Sequence, residues 1–400
     1  MHLTRQLVSA WIPPIKSESS SVIPNRVSRI GRRERIARAT AQTLRESHGA
    51  RPLLMTSSAA VGWRTGGLSD PIDLTANTDP VWVVDTDHGS ALITSEIEGP
   101  RLTHDFRVTE RGWQLVLVPW YEAGAALAAA CDFAACSPEE FLSDAAEIGS
   151  NVRADLVAAR LALSEPELED LRELGALVGR AVGDGIAAWR PGVSTDFEVA
   201  AVTSGSLEAG GAKAVCLIVG GDDRLRRLRH PLAVGEVCHD AIMVVVVARW
   251  RGLHAAATRI AVRRASDEIV VLTRDLAAVN DAVLAASRPG GTWGEAVEAL
   301  ARGYAAIGRA NEWRDHFQGG PIGFEQREFE LAPGQSTSPY WSLARSVHTA
   351  VAWNPSVRGG AKIEDTYLVG ESGLETLTVT PSWPTAQSPG GGARSAVRVV

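Results

Sequence analysis

Nine histidines, four cysteines and 47 acidic residues carry whatever acid–base or metal chemistry this 400-residue chain can perform. Cys131, Cys136, Cys216 and Cys238 have no zinc-type spacing and read as free thiols. His230, followed by Pro231, and Glu364, followed by Asp365, are of the types that acid–base work needs. A neutral imidazole takes up a proton near pH 7, and a carboxylate beside it orients it or binds a cation. Arg327 offers a planar guanidinium that can hold a carboxylate through two hydrogen bonds. His254 lies two residues before Ala256 in an apolar run, so in a strand the two share a face. His254, Glu328 and Glu364 are all of metal-ligating type. Each residue also has a plainer reading. His230 beside Pro231 can cap a loop, and Glu364-Asp365 can close a terminal hairpin. Arg327 stands among Glu325, Glu328 and Glu330 and can be a surface ion-pair residue. His316 and His348 read as structural, and His239-Asp240 as a turn pair.

The elements that must position these residues follow from periodicity. Residues 1–30, rich in Ser and Pro, read as a flexible arm, and residues 381–400 as a flexible tail. Between them lie two blocks. In residues 31–148, a basic helical stretch precedes short apolar runs at Leu53 to Met55, Val81 to Val84, Ala91 to Ile93 and Trp113 to Trp120, an α/β pattern. The second block, 153–380, opens with Ser164-Glu165-Pro166-Glu167, a capping box with Pro just inside the helix. Leu168, Leu171, Leu174, Val178, Val182, Ile186 and Trp189 then make one apolar stripe. Thr195 and Glu198 predict a second capped helix. Val215 to Val219, Ala241 to Ala248 and Leu253 to Val262 predict strands, the middle one β-branched enough to be buried on both faces. Helices follow over 269–286 and 293–307, and a hairpin pairs Lys362 to Leu368 with Glu375 to Val379.

Composition sets the outer bounds. Apolar residues make up 45% and charged residues 22%, ordinary for a globular protein. A net charge of -7 does not favour nucleic acid or an anionic membrane. No apolar run reaches the ~18 residues of a membrane span, and no signal-peptide pattern opens the chain, so a cytoplasmic location is expected.

Six segments, Arg190 to Ala200, Gly220 to Pro231, Arg249 to His254, Thr258-Arg259, Gly319 to Gly323 and Gly360 to Val369, in that order, resemble the pita-bread family of creatinase, aminopeptidase P and prolidase. Arg190-Pro191-Gly192-Val193-Ser194 with Glu198-Val199-Ala200 resembles the family's entry to its second helix, and Gly220 to Pro231 its glycine-bearing loop ending in a histidine. Arg249 to His254, Thr258-Arg259, Gly319-Gly320-Pro321-Ile322-Gly323 and Gly360 to Val369 resemble four later motifs. The likeness spans roughly 153 to 380, and the preceding block fits a creatinase-type N-terminal domain. The implied fold is α/β (α+β), a C-terminal pita-bread domain behind an N-terminal α/β domain.

The resemblance also implies a dinuclear metal site of two Asp, one His and two Glu, in which a bridging water becomes the nucleophile. In this sequence those positions fall on Val245, Ala256, Gly320 and Asn354, with Glu364 alone retained. No metal and no cofactor are therefore expected. His230 falls where metallopeptidase relatives contact substrate and where creatinase, which works without metal, has its acid–base. Arg327 falls at a second histidine position, and creatinase holds its carboxylate substrate with arginines. Of the 12 tryptophans, Trp250, Trp313, Trp341 and Trp353 lie near family motifs and are candidates to line an apolar pocket. Three functions are consistent with these residues. One is a metal-independent, creatinase-like enzyme cleaving a C–N bond of a small molecule, with His230 and Glu364 catalytic and Arg327, His254, Glu328, Trp250 and Trp353 binding substrate. The second is an inactive relative that binds a ligand or protein. The third is an Xaa-Pro-type peptidase with a rebuilt single-metal site at His254. Family precedent implies a homodimer, with Gly66 to Asp70 and Glu96 to Arg101 as covers over a partner's site.

Overall fold

The computed structural model describes residues 22–68, 72, 79–388 and 393–400. Most of the expected arm, residues 1–21, lies outside these, as do Ser69 and Asp70 of the expected cover loop. The helix begins earlier than its composition suggests, running Val22–Ser47. Ile30, Arg33, Ala37, Ala41 and Leu44 are its buried stripe, at helical spacing. Arg29 and Arg33 explain the early start. Both donate to Asp170, at 2.8 and 2.9 Å, and Arg251 adds a third guanidinium at 2.6 Å. A buried carboxylate is tolerated because three cations and their hydrogen bonds replace its water. This cluster ties the N-terminal helix to helix Glu165–Ala188 and to the turn at Arg251.

The N-terminal domain is a six-stranded mixed sheet. Its order is Gln114–Val118, Gly89–Ser95, Val81–Thr86, Leu53–Met55, Leu142–Ser143, Ser150–Asn151. The predicted runs at Leu53 to Met55, Val81 to Val84 and Ala91 to Ile93 fall within it, and of Trp113 to Trp120 only Gln114–Val118 is strand.

In the second domain, Lys213–Gly221, Ala241–Trp250 and Leu253–Val262 form an antiparallel sheet. Helix Glu165–Ala188 lies on it through the predicted stripe, with the Ser164–Glu167 capping box in place. Gly175 lets the chain at Leu377 run flush against this helix: a Cβ there would stand 2.6 Å from the Leu377 carbonyl oxygen. A second sheet, in the order Gly319–Pro321, Thr349–Trp353, Asp365–Gly370, Gly373–Thr376, faces the first. The terminal hairpin is thus shorter than predicted. Asp365–Gly370 pairs with Gly373–Thr376, whereas Ala361–Lys362 pairs with Ser356–Val357.

Two contacts clamp the sheets together. Thr366 Oγ1 accepts from the Ala256 amide at 2.8 Å, and the Thr258 amide donates to the Glu364 carbonyl at 3.0 Å. Beside them Arg259 and Asp365, both fully buried, meet at 2.8 Å. Arg259 also donates to the Thr378 and Thr258 carbonyls and to Thr380 Oγ1. Asp365 accepts from Thr378 Oγ1 and from the Ser395 amide and hydroxyl.

Ser395 belongs to the stretch expected as a loose tail. Its described part is instead structured: Thr385–Gln387 pairs with Ala393–Ser395, and Arg398–Val399 adds a parallel strand to Leu253–Val262. Trp383 anchors it, donating to the Ala396 carbonyl at 2.8 Å beneath the Arg398 guanidinium. A Pro/Gly/Ser composition conceals such an anchor because one buried indole outweighs many weak local preferences.

Removing one partner of a buried ion pair strands the other. Arg259→Met is predicted to cost about 3–5 kcal/mol in urea unfolding, and Arg259→Met/Asp365→Leu to recover part of that. A loss below about 1 kcal/mol in the single variant would show that the clamp is dispensable.

Candidate functional site

Alternation along paired strands builds the floor of a cleft between the two sheets. Cys216 pairs with Val247 and Val247 with Ala256; Ile218 pairs with Val245 and Val245 with Thr258. These make two cross-strand rows on one face. Cys216, Ile218, Val245, Val247 and Ala256 all line the cleft. From the opposite sheet come Gly320, Ala352 and Asn354. Thus Val245, Ala256, Gly320 and Asn354 surround one space together with Glu364. The space is about 70 Å³, enough for a few water molecules or one small molecule of similar bulk.

The polar groups enter from the rim. His230 lies in the loop after the short helix Asp222–Arg227, Arg327 in the loop after Gly319–Pro321, and Lys362 and Glu364 at the break between two short strands. Leaving the ladder at residue 363 frees both side chains to face the cleft. Lys362 Nζ stands 3.7 Å from Glu364 Oε2, and Thr258 Oγ1 donates to the same oxygen at 2.6 Å. Both the lysine and the glutamate are buried. Arg327 is half-exposed, donates to Glu330 at 2.6 Å and stacks over Phe317. It therefore combines the ion-pair role with a place on the cleft wall. Asn354 Oδ1 is buried and accepts no hydrogen bond among the described residues. Burial lowers the His230 pKa, and the Lys362 and Arg327 charges lower it further, so its imidazole is neutral near pH 7.

Four residues expected to touch substrate lie elsewhere. His254 is buried at the strand end, where its Nδ1 stands 3.1 Å from the Gly323 carbonyl oxygen that also accepts its own amide. Glu328 is spent on structure: Oε2 accepts from Arg160 at 2.8 Å, and Oε1 from the Phe324 and Glu325 amides. Trp353 sits between Ala352 and Asn354, so alternation turns it to the opposite face. There it packs on Trp293 and donates to Ser287 Oγ at 2.9 Å. Trp250 has the wrong parity relative to Val245 and Val247, and its ring lies under Arg251 at the domain junction. Trp341 covers the start of helix Trp293–Ala306, and Trp313 lines a separate groove.

Lys362, Cys216 and Asn354 as a polar group were missed, although strand parity would have found Cys216. His316 also counts for more than filler. Its Nε2 meets Ser356 Oγ at 2.6 Å, and its ring stands edge-on to His230 at 6.3 Å.

The donors do not fit the dinuclear centre that the motifs imply. Valine, alanine and glycine supply no ligand atom. Among the described residues no group of three or more His, Cys, Asp or Glu side chains is placed to hold a metal ion. The backbone argues the same way: Gly320 has φ +152°, which L-residues rarely adopt, so a histidine there would be strained even with open space around it.

His254 and His316 give the fold a pH dependence. Burial, then the Arg249 charge, lowers the His254 pKa to about 3. Burial, then Lys362, does the same for His316. Unfolded histidine titrates near ~6.5. Between those values the unfolded chain binds protons that the native protein does not, so stability falls as pH drops from about 6.5 towards 3, by up to about 1.4 kcal/mol per pH unit per histidine. Urea unfolding of His254→Gln at pH 7 and pH 4.5 is predicted to show a smaller acid loss than the parent. Equal losses would contradict the neutral buried imidazole.

No family model matches the chain, and no curated protein matches it. Solved structures do. The dipeptidase PepE of Mycobacterium ulcerans superimposes with a TM-score of 0.69 at 20% identity, over 94% of this chain and 99% of that one. The prolidase of Pyrococcus horikoshii gives 0.62 at 17%, over 89% and 98%. The N-terminal domain of the FACT complex subunit SPT16 from chickpea, Cicer arietinum, gives 0.63 at 14%, over 89% and 97%. With both domains matched along nearly their whole length, the chain has the two-domain pita-bread fold of these dipeptidase and prolidase structures.

Proposed function

We propose that this protein acts without metal on a small zwitterionic molecule, an N-substituted amino acid or close analogue, by acid–base chemistry at His230. The observation that carries the reading is the convergence of His230, Arg327, Lys362 and Glu364 on one cleft whose walls include the substituted ligand positions Val245, Ala256, Gly320 and Asn354. Arg327 and Lys362 supply donors for a carboxylate. Glu364 and the unpartnered Asn354 Oδ1 supply acceptors for an N–H or ammonium group. A neutral His230 is in the form that accepts a proton. In a hydrolysis it takes a proton from water as the new C–O bond forms and returns it to the nitrogen as the C–N bond breaks. Glu364 orients the reacting nitrogen. Such general acid–base help is worth roughly 10²–10⁴ in rate.

A second reading, an inactive module that binds a ligand or another protein, draws support from the small size of the cleft. The cleft holds about 70 Å³, where ligand pockets typically offer roughly 300–1,000 Å³. The fold itself does not decide, since it is shared by a structure titled prolidase and by one titled as a domain of a complex subunit.

A panel of N-substituted amino acids, screened by thermal shift and by amine or urea release with and without chelator, separates the readings. The expected result is one member that binds and turns over, unaffected by chelator. Arg327→Ala and Lys362→Met would then weaken binding at least tenfold. His230→Ala would lower turnover by roughly 10²–10⁴ and leave binding intact. Binding without turnover would establish the module. Activity lost to chelator and restored by a transition metal, or near-stoichiometric metal in the protein as purified, would overturn the metal-free reading.

A further inference from the structure

A second pocket, of about 620 Å³, lies between the N-terminal helix and the edge of the first domain, and shares no residue with the cleft. Its walls carry five arginines. Arg32, Arg35 and Arg38 recur at three-residue steps on helix Val22–Ser47 and so share one side of it. Arg64 and Arg111 face them from the sheet domain.

The charges do not balance. Arg64 is matched by Asp85 at 2.7 Å and lies flat on Trp113. Arg111 pairs with Glu34, which also accepts from the Trp113 indole at 2.7 Å. Arg32 reaches the exposed Glu169 at 3.4 Å. Among the described residues Arg35 donates only to the Gly31 carbonyl, at 3.4 Å, and Arg38 only to Ser90 Oγ, at 3.3 Å. Neither has a carboxylate within 4.0 Å among the described residues, so two guanidinium charges remain uncompensated over one concavity.

Ser90 gives the site a fixed point. It is buried, and its Oγ accepts from Arg64 Nη2 at 3.0 Å and from Arg38 Nη2 at 3.3 Å. Two donors on the oxygen leave its own proton to donate. Arg64, held by Asp85 and Trp113, keeps that oxygen in place. Like charges at i,i+3 on a helix repel, and an anion seated among them relieves the repulsion. Guanidinium forks match the oxygen geometry of phosphate, and a hydroxyl donor completes the set.

We infer that this pocket binds a small phosphate-bearing anion. The arginines line one concavity together with Trp113, which suits a small molecule, and a net charge of -7 does not favour a nucleic-acid strand.

The test is thermal unfolding and calorimetric titration of the full chain with inorganic phosphate and with phenyl phosphate, at constant ionic strength. Both are expected to raise the unfolding midpoint. Arg35→Gln/Arg38→Gln and, separately, Ser90→Ala should weaken binding at least tenfold, while cleft variants such as His230→Ala leave it unchanged. Tighter binding of phenyl phosphate identifies an organic phosphate, and equal binding identifies free phosphate. Three outcomes overturn the inference: no binding of either probe at millimolar concentration, equal binding by the double arginine variant, or arginine-dependent binding of duplex DNA where both phosphates fail. Arg35 and Arg38 are exposed, so their replacement leaves the packed face of the helix intact.

Discussion

The buried pair of Arg259 and Asp365 is the interaction on which the second domain depends. Two sheets stacked face to face must keep a fixed offset if a cleft between them is to have a shape. Apolar packing alone is non-directional and permits sliding. Arg259 removes that freedom because its donors bind the Thr258 and Thr378 carbonyls, Thr380 and Asp365 at once. Asp365 in turn accepts from Thr378 and from Ser395 of the final segment. One planar group thereby fixes the relative positions of strand Leu253–Val262, strand Asp365–Gly370 and the chain terminus. Burial raises the Asp365 pKa, yet Arg259 and the surrounding donors oppose that rise. The full set of partners is what makes the buried charges tolerable.

This clamp explains which motifs were legible in the sequence and why. In Glu364-Asp365 a cleft residue adjoins a clamp residue, and in Thr258-Arg259 the hydroxyl that holds Glu364 adjoins the other half of the clamp. The long stripe from Leu168 to Ile186, the capping boxes at Ser164 and Thr195 and the β-branched run at Ala241 to Ala248 were legible for a different reason. Each is a local pattern whose physical cause lies within one element. Sequence proximity to a motif was a poorer guide. Trp353 adjoins Asn354, and alternation sends them to opposite faces. His254 does share the face of Ala256, but it lies beyond the cleft, against Gly323. Glu328 has a suitable type and is spent on Arg160. In each case the deciding fact is a partner far away in the chain, which no local pattern encodes.

The cleft has exchanged one form of charge compensation for another. A dinuclear site gathers several carboxylates around cations. Here Val245, Ala256 and Asn354 stand where the resemblance implies carboxylates, and one carboxylate remains, beside the Lys362 ammonium and a threonine hydroxyl. With Arg327 at the rim, cations now outnumber anions in the cleft, the reverse of what a divalent ion requires and what an anionic ligand group favours. The same two cations lower the His230 pKa. A carboxylate bound beside them would oppose that lowering, which couples ligand binding to the basicity of the imidazole.

It follows that the residues of the cleft do not weigh equally as evidence of activity. Glu364 is accounted for by the fold: its carbonyl accepts from the Thr258 amide, its carboxylate accepts from the Thr258 hydroxyl, and its neighbour is half of the clamp. A chain that needed only to fold would keep it. Arg327 is likewise partly accounted for by Glu330 and Phe317. Asn354 is different, since its buried Oδ1 accepts no hydrogen bond among the described residues, which costs stability of order 1–3 kcal/mol. His230 differs as well: it reaches the rim from a loop, and its ring is bound up in neither the ladder nor the clamp. Discrimination between a catalyst and a binding module therefore rests on His230 and Asn354, the two positions that folding alone does not explain.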